Sequence, residues 1–272
     1  MTDLTQKTSE DEAICERIAD AEERMQSRTL DWAKINTGSW NRAGLDQLAP
    51  KLADAFSALD ASIKLDPSQP FEKVNAKGEA EDFETGPIIR VTSRPEAPVQ
   101  IVMSGHYDTV FPDGTFTEIT DLGDGRMNGP GLADMKGGLS VMLGALEAFE
   151  AGPFKEKIGY QIVVSPDEEI GNFASSPALK QAAQSGAMIG MTYEPCMETG
   201  AMSGGRKGSA VFDVVLHGRS AHAGRAKEDG RSALEAAAHM VVDLEALNNR
   251  REGVSFNVGA IEGGGAVNIV PD

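Results

Sequence analysis

The sequence predicts an α/β protein, with a mostly parallel β-sheet flanked by helices and a smaller α+β unit behind it. Three observations lead there. Short Val/Ile-rich runs bounded by turn residues alternate with helix-length amphipathic segments, the pattern of βαβ units covered on both faces. The pattern changes character at SGGRKGS, around Gly204 to Gly208, where half-exposed alternation replaces buried runs. With 272 residues and 40% apolar content, the chain can also fill a sizeable core.

The elements follow in order. DEAICERIADAEERM and LDQLAPKLADAFSALDA, within the first 65 or so residues, space apolar positions by three and four and predict helices. PIIRVTSR and PVQIVMSG predict strands, GGLSVMLGALEAFEAG a helix, KIGYQIVVS a buried strand, SPALKQAAQSG a helix and AMIGMTY another strand. Beyond the punctuation, SAVFDVVLHG alternates as an antiparallel strand would. RSALEAAAHMVVDLEALNN predicts a long helix and VSFNVGAIEGGGAVNIV a strand pair. The boundary falls near residue 207, giving domains 1–207 and 208–272.

A formal net charge of −17 sets the chain against nucleic acid and anionic membrane, both polyanions, and its plainest effect is solubility. The two cysteines, Cys15 and Cys196, form neither a disulfide framework nor a zinc knuckle. The polar, acidic start has no leader pattern and no run approaches the roughly 18 apolar residues of a membrane span, so a cytoplasmic enzyme is expected. GxSxG, GxxxxGK[ST] and HExxH are absent, and GPGLAD departs from GxGxxG at its last position.

Three predicted strands each run into a potential metal ligand: PVQIVMSG into His106, KIGYQIVVS into Glu168 and Glu169, and AMIGMTY into Glu194. In open α/β sheets ligands gather at the carboxyl ends of strands, so these residues can meet. Asp134, in GPGLADMKGG, reads alone as a turn or helix-start residue, and His106 alone as a turn or core histidine. Together they form an imidazole and carboxylate donor set suited to zinc or a similar divalent ion. Asp108, two residues after His106, lies on the same side of an extended strand and can hold the second imidazole nitrogen. Neighbouring glutamates point in different directions, so one can ligate while the other takes a proton from the attacking water. A solvated acidic pair explains DEE equally well in isolation.

With these residues in view, the sequence resembles the zinc exopeptidases and deacylases that include glutamate carboxypeptidase (carboxypeptidase G), aminoacylase, acetylornithine deacetylase and succinyl-diaminopimelate desuccinylase. The stretches that carry the resemblance are SGHYDTV, GPGLADMKGG, DEEIGN, TYEP, HGRSAHAG and GGAVNIVP, in order from about residue 86 to the end. The carboxypeptidase G branch is the most similar, through the first two forms and Glu194. The resemblance implies a catalytic domain followed by a lid or dimerisation domain, and two zinc ions per complete subunit, with Co²⁺ or Mn²⁺ as substitutes. His106 and Glu194 would hold one ion and Glu169 the other. Asp134 would bridge both and precede a cis peptide. Glu168 would be the general base and Asp108 would orient His106. His222, in SAHAG, would reach into the active site of the partner subunit of a homodimer and stabilise the oxyanion. Asn268 matches a substrate-contacting asparagine. Arg206 and Lys207 are candidate carboxylate contacts or solvated hinge residues. His217 and His239 read as structural or surface residues.

The implied activity is hydrolysis of an amide bond next to a free carboxylate, in a small peptide or an acyl-amino acid. A glutamate carboxypeptidase is favoured over an N-acyl-amino-acid deacylase. One departure bears on it. The family's chain runs on past NIVP and supplies a last histidine to the second zinc, whereas the four histidines here are 106, 217, 222 and 239. The expectation is a chain incomplete at its C-terminus. It would be either a shortened form of an active enzyme, itself inactive and with unfinished sheet edges, or a non-catalytic remnant.

Overall fold

A computed structural model describes residues 8–272; Met1–Lys7, on which the expectation of no leader partly rests, lie outside them. The described residues divide into two compact units, residues 8–71 with 84–201 and residues 72–83 with 202–272.

The first unit opens with α1 (Ser9–Asp20), started by a capping box. The Thr8 hydroxyl accepts the Asp11 N–H and the Asp11 carboxylate accepts the Thr8 N–H, which satisfies two otherwise orphaned donors. Then come α2 (Glu22–Ala33), α3 (Arg42–Phe56) and β1 (Ser62–Asp66); the hairpin β2 (Phe71–Val74) and β3 (Ala80–Phe83), from Glu72 on, belongs to the second unit. After them follow β4 (Ile88–Ser93), β5 (Val99–His106), the hairpin β6 (Thr120–Gly123) and β7 (Arg126–Asn128), α4 (Gly137–Glu150), β8 (Ile158–Ser165), α5 (Ser176–Ala183) and β9 (Ile189–Thr192). The main sheet has the order β1-β4-β8-β5-β9. Its β8–β5 and β5–β9 ladders are parallel, and its β1–β4 and β4–β8 ladders antiparallel. The sheet is therefore mixed, and parallel only in the half that carries the site.

Periodicity explains the two faces. Tyr160, Ile162 and Val164 of β8 point, two residues apart, into the main core with Leu45, Leu48, Leu52 and Phe56 of α3 and Leu139, Met142 and Leu146 of α4. Val163 points the other way, onto Ala182 of α5. Burying each of the three α3 leucines stabilises the fold by about 1.5–3 kcal/mol. The polar strand β1 and the two hairpins carry no comparable apolar pattern, and the sequence reading passes over them.

In the second unit the long helix appears as α6 (Ala233–Glu245), with the Ser232 side chain accepting the Glu235 N–H as its N-cap. The strands expected in SAVFDVVLHG and VSFNVGAIEGGGAVNIV do not form. Among the described residues the first segment makes no bridge and the second only one, His222 with Ile269, and Val211, Phe212, Ile261 and Val267 are exposed. Alternation describes a surface that fits a pleated sheet, but a strand exists only where a neighbouring ladder takes its N–H and C=O groups.

Candidate metal centre

The parallel register brings three strand ends together. On β5, His106 lies opposite Ser165 of β8, and Ser104 opposite Thr192 of β9. His106 therefore emerges between the segment that leaves β8 through Asp167, Glu168 and Glu169 and the one that leaves β9 through Tyr193 and Glu194. The first is closed into a tight loop: the buried Asp167 carboxylate accepts the Ala174 N–H at 2.6 Å and its carbonyl accepts the Asn172 N–H at 2.8 Å. The second lies against α4, where Gly138 leaves room for the Tyr193 carbonyl; a Cβ there would collide with it.

Asp134 arrives from a loop that turns at Gly131, a left-handed glycine (φ 65°), and is tied by the Lys136 N–H to the Gly131 carbonyl at 2.8 Å. The Asp134–Met135 peptide is cis. Met135 is buried in the core while the Asp134 carboxylate stands half exposed, 3.0 Å from His106 Nε2. The same nitrogen is 3.7 Å from Glu194 Oε1 and 4.0 Å from Glu168 Oε2. Two sets of donor atoms lie within 4.8 Å of one another: His106, Asp134 and Glu169, and His106, Glu168 and Glu194. In this arrangement Glu168 is thus as near as a ligand would be.

Asp108 is the hub beneath them. It is fully buried, and Oδ1 accepts the Glu168 N–H at 3.0 Å while Oδ2 accepts the Glu169 N–H at 3.1 Å. His106 Nδ1 lies 3.1 Å from the Asp108 carbonyl and 3.4 Å from Oδ1, which turns Nε2 outward. Ser39, in the loop between α2 and α3, donates its hydroxyl to Oδ2 at 2.7 Å. Lys136 is buried beside the site, and its ammonium donates to the Ile35 carbonyl at 2.9 Å. Burial pushes Lys136 down to about 7, against the opposing pull of Asp108.

The charges fit a cation. Burial and the neighbouring Asp134 raise Glu169 to about 7, and burial with Glu194, Asp108 and Asp134 raises Glu168 against the pull of His106. Burial opposes protonation of His106, but hydrogen bonds and charge from Asp108 and Glu194 prevail and lift it to about 11. Among the described residues no lysine or arginine forms an ion pair with Asp134, Glu168 or Glu169. One imidazole with several clustered carboxylates is the donor chemistry of zinc, manganese or cobalt sites, and a divalent ion there would offset the repulsion that protons otherwise relieve.

The sequence-predicted residues thus fall into two groups. His106, Asp108, Asp134, Glu168, Glu169 and Glu194 converge in the first unit. In the second, His222 and Asn268 come together, with the Ala223 N–H on the Asn268 carbonyl and the Val270 N–H on the Ala221 carbonyl, both at 2.9 Å. The His222 ring is exposed and its Nδ1 accepts the Gly224 N–H at 3.1 Å. Arg206 and Lys207 lie in an exposed segment without regular structure. Sequence reading missed Ser39 and the second role of Asp108, because a serine in a polar loop carries no periodic or spacing signal.

The chain is similar to several known proteins. Residues 204–272 match the peptidase dimerisation domain family. Carboxypeptidase G2 of Pseudomonas sp. (strain RS-16) is 28% identical over 173 residues, 63% of this chain and 41% of that protein. Succinyl-diaminopimelate desuccinylase 2 of Shewanella loihica is 30% identical over 194 residues, covering 65% of this chain and 51% of that protein. The chain spans about half the length of these curated relatives. An M20 family metallo-carboxypeptidase from Sulfolobus solfataricus has the same fold, with a TM-score of 0.60 at 15% identity over 91% of this chain and 68% of that one. No helix among the described residues is long and apolar enough to cross a membrane. The chain is similar to carboxypeptidase G2 and succinyl-diaminopimelate desuccinylase 2, and its residues 204–272 match the peptidase dimerisation domain family.

Proposed function

We propose that the chain is the metal-binding part of a hydrolase that cleaves an amide bond next to a free carboxylate, with glutamate-ended peptides or conjugates as the favoured substrates. One observation carries this reading: an imidazole and a set of carboxylates from three strand ends and one loop face a common point, held by a buried aspartate. His106 and Glu194 would hold one divalent ion and Glu169 the other, with Asp134 between them. Zinc is favoured, and cobalt or manganese can replace it. When bound, the metal supplies a Lewis acid for the amide carbonyl and a water that ionises near neutral pH.

The remaining work belongs to side chains. Glu168, raised above the ordinary carboxylate range by burial and its acidic neighbours, takes the proton of the attacking water and returns it to the leaving amine. Asp108 fixes the imidazole tautomer of His106. His222 would act in trans, stabilising the oxyanion in the partner subunit of a homodimer formed through the second unit. Asn268 and Arg206 would contact the substrate, Arg206 by donating to the substrate's carboxylate. The support for the dimer is the family match of residues 204–272.

Removal of an acyl group from an amino acid is the same chemistry with a different substrate, and the similarity to a desuccinylase favours keeping it as a second reading. The test is metal content per chain together with hydrolysis of a panel of peptidyl-glutamates, acyl-glutamates and succinylated amines. Metal uptake with turnover confined to the glutamates supports the carboxypeptidase reading. Turnover confined to succinyl or acetyl amides replaces it with the deacylase. Absence of metal uptake overturns both.

A further inference from the structure

We propose that Ser39 is a positioning residue of the metal centre, acting through Asp108. The inference rests on the reading above, that His106, Asp134, Glu169 and Glu194 hold a divalent ion. Its grounds are geometric. A carboxylate turns easily about its last torsion, since that well is broad and roughly two-fold. Asp108 must nevertheless present one oxygen to each glutamate amide, and Glu168 and Glu169 depend on those two contacts for their direction. Ser39 supplies the fixed point: its hydroxyl donates to Oδ2 at 2.7 Å, and its own carbonyl-side alternative, Thr109 O, is distant at 3.4 Å.

The serine is itself immobile. It is 3% exposed, its N–H donates to the Thr109 carbonyl at 3.1 Å, and the Thr109 N–H donates to the Thr37 carbonyl at 2.9 Å. The Thr37 hydroxyl donates to the Tyr107 carbonyl at 2.6 Å. The loop between α2 and α3 is thus laced to the residues that follow β5, on both sides of Asp108. Ser39 is not a ligand; it sets the rotation of the carboxylate that in turn aims the imidazole and the glutamate pair.

The experiment is a cobalt(II) titration of the 272-residue chain, followed by the visible absorption of the bound ion and by competition with a chelator. Unaltered chain, Ser39→Ala, Asp108→Asn and the double variant are compared. Removal of such an outer partner typically weakens metal binding by about 10–100-fold, and Ser39→Ala, one step further out, should fall near the lower end, about tenfold. The double variant should bind no more weakly than Asp108→Asn alone, because the serine acts through that carboxylate. Cobalt affinity of Ser39→Ala within twofold of the unaltered chain overturns the proposal. So does an equal loss in both backgrounds, or unfolding of metal-free Ser39→Ala, either of which makes the serine merely structural. An unaltered chain that takes up no cobalt overturns the metal-centre reading itself, and the role of Ser39 with it.

Discussion

Replacing Asp108 by asparagine changes almost no volume and leaves one oxygen where there were two. In the native arrangement that carboxylate accepts the N–H groups of Glu168 and Glu169 and the Ser39 hydroxyl, with His106 Nδ1 close by. An amide can meet only one side: with its oxygen toward Glu169 and Ser39, its NH₂ points at the Glu168 N–H, donor against donor, and the flipped form is no better. At least one charge-assisted hydrogen bond is lost, about 1.5–3 kcal/mol, and one buried donor is orphaned, about 1–3 kcal/mol. The two overlap, so a loss of about 3 kcal/mol in the stability of the metal-free chain is expected from these magnitudes. Urea denaturation followed by tryptophan fluorescence suits the measurement, because buried Trp32 belongs to the same core. Metal affinity should fall separately by about 10–100-fold, as the imidazole and the glutamate pair lose their aim. A variant with an unchanged urea midpoint and unchanged metal affinity would refute the idea that Asp108 organises the site.

Three further outcomes follow from the same structure. Under the proposed role of Glu168 as general base, Glu168→Gln should lower turnover of an acyl-glutamate by about 10²–10⁴-fold while metal uptake persists; undiminished kcat would assign the proton transfer elsewhere. Gly138→Ala places a methyl group against the Tyr193 carbonyl, and overpacking of this kind costs about 1–3 kcal/mol. Because Glu194 follows Tyr193, metal affinity should fall with stability, and a loss of stability alone would show that the segment moves without its ligand. At the far end of β8, Arg94 forks onto the partly buried Glu150, which Tyr160 also contacts. Burial works against ionisation of Glu150, but Arg94 and Tyr160 outweigh it and hold the carboxyl below its ordinary value of 4.5. A depressed carboxylate stabilises the fold above its unfolded value, and that contribution disappears as pH falls through 4.5 toward the lower folded value. Glu150→Gln should therefore destabilise the chain at pH 7 by about 1.5–3 kcal/mol and flatten this part of its acid denaturation curve. Parallel curves for the two forms would contradict the sign.

How much of this was legible in the sequence depends on whether the signal was local. The buried strands and α4 and α5 carry their own periodicity, and strands that alternate with helices can hardly avoid gathering their carboxyl ends, so the sequence alone places His106, Glu168, Glu169 and Glu194 together. Asp134 depended on its company and on the resemblance, since an aspartate before a helix is ordinary. The second unit misled because SAVFDVVLHG alternates as a strand does, yet its N–H and C=O groups find no ladder among the described residues. The hairpins escaped notice because short, exposed strands such as TDLG and RMN have no buried face to encode.

The hub at Asp108 shows why the least legible contacts matter most for precision. Strand register delivers the ligands to the right neighbourhood, but a register fixes backbones to roughly half an ångström only where side chains lock the turns that follow. Asp108 makes that lock from three segments at once: the residue pair after β8, the imidazole at the end of β5 and the loop before α3. Burial, together with the repulsion of its acidic neighbours, raises Glu169 to about 7, so the fold must hold the carboxylates in place before the proposed cation favours them. Hydrogen bonds from backbone N–H groups to a single buried carboxylate do this without adding another positive charge that would compete with the metal. A lysine in place of Ser39 would also pair with Asp108, but its charge would repel the divalent ion proposed for the site. A neutral hydroxyl at that position keeps both requirements compatible, so under the proposed reading the serine, invisible to pattern reading, serves the site as well as the fold.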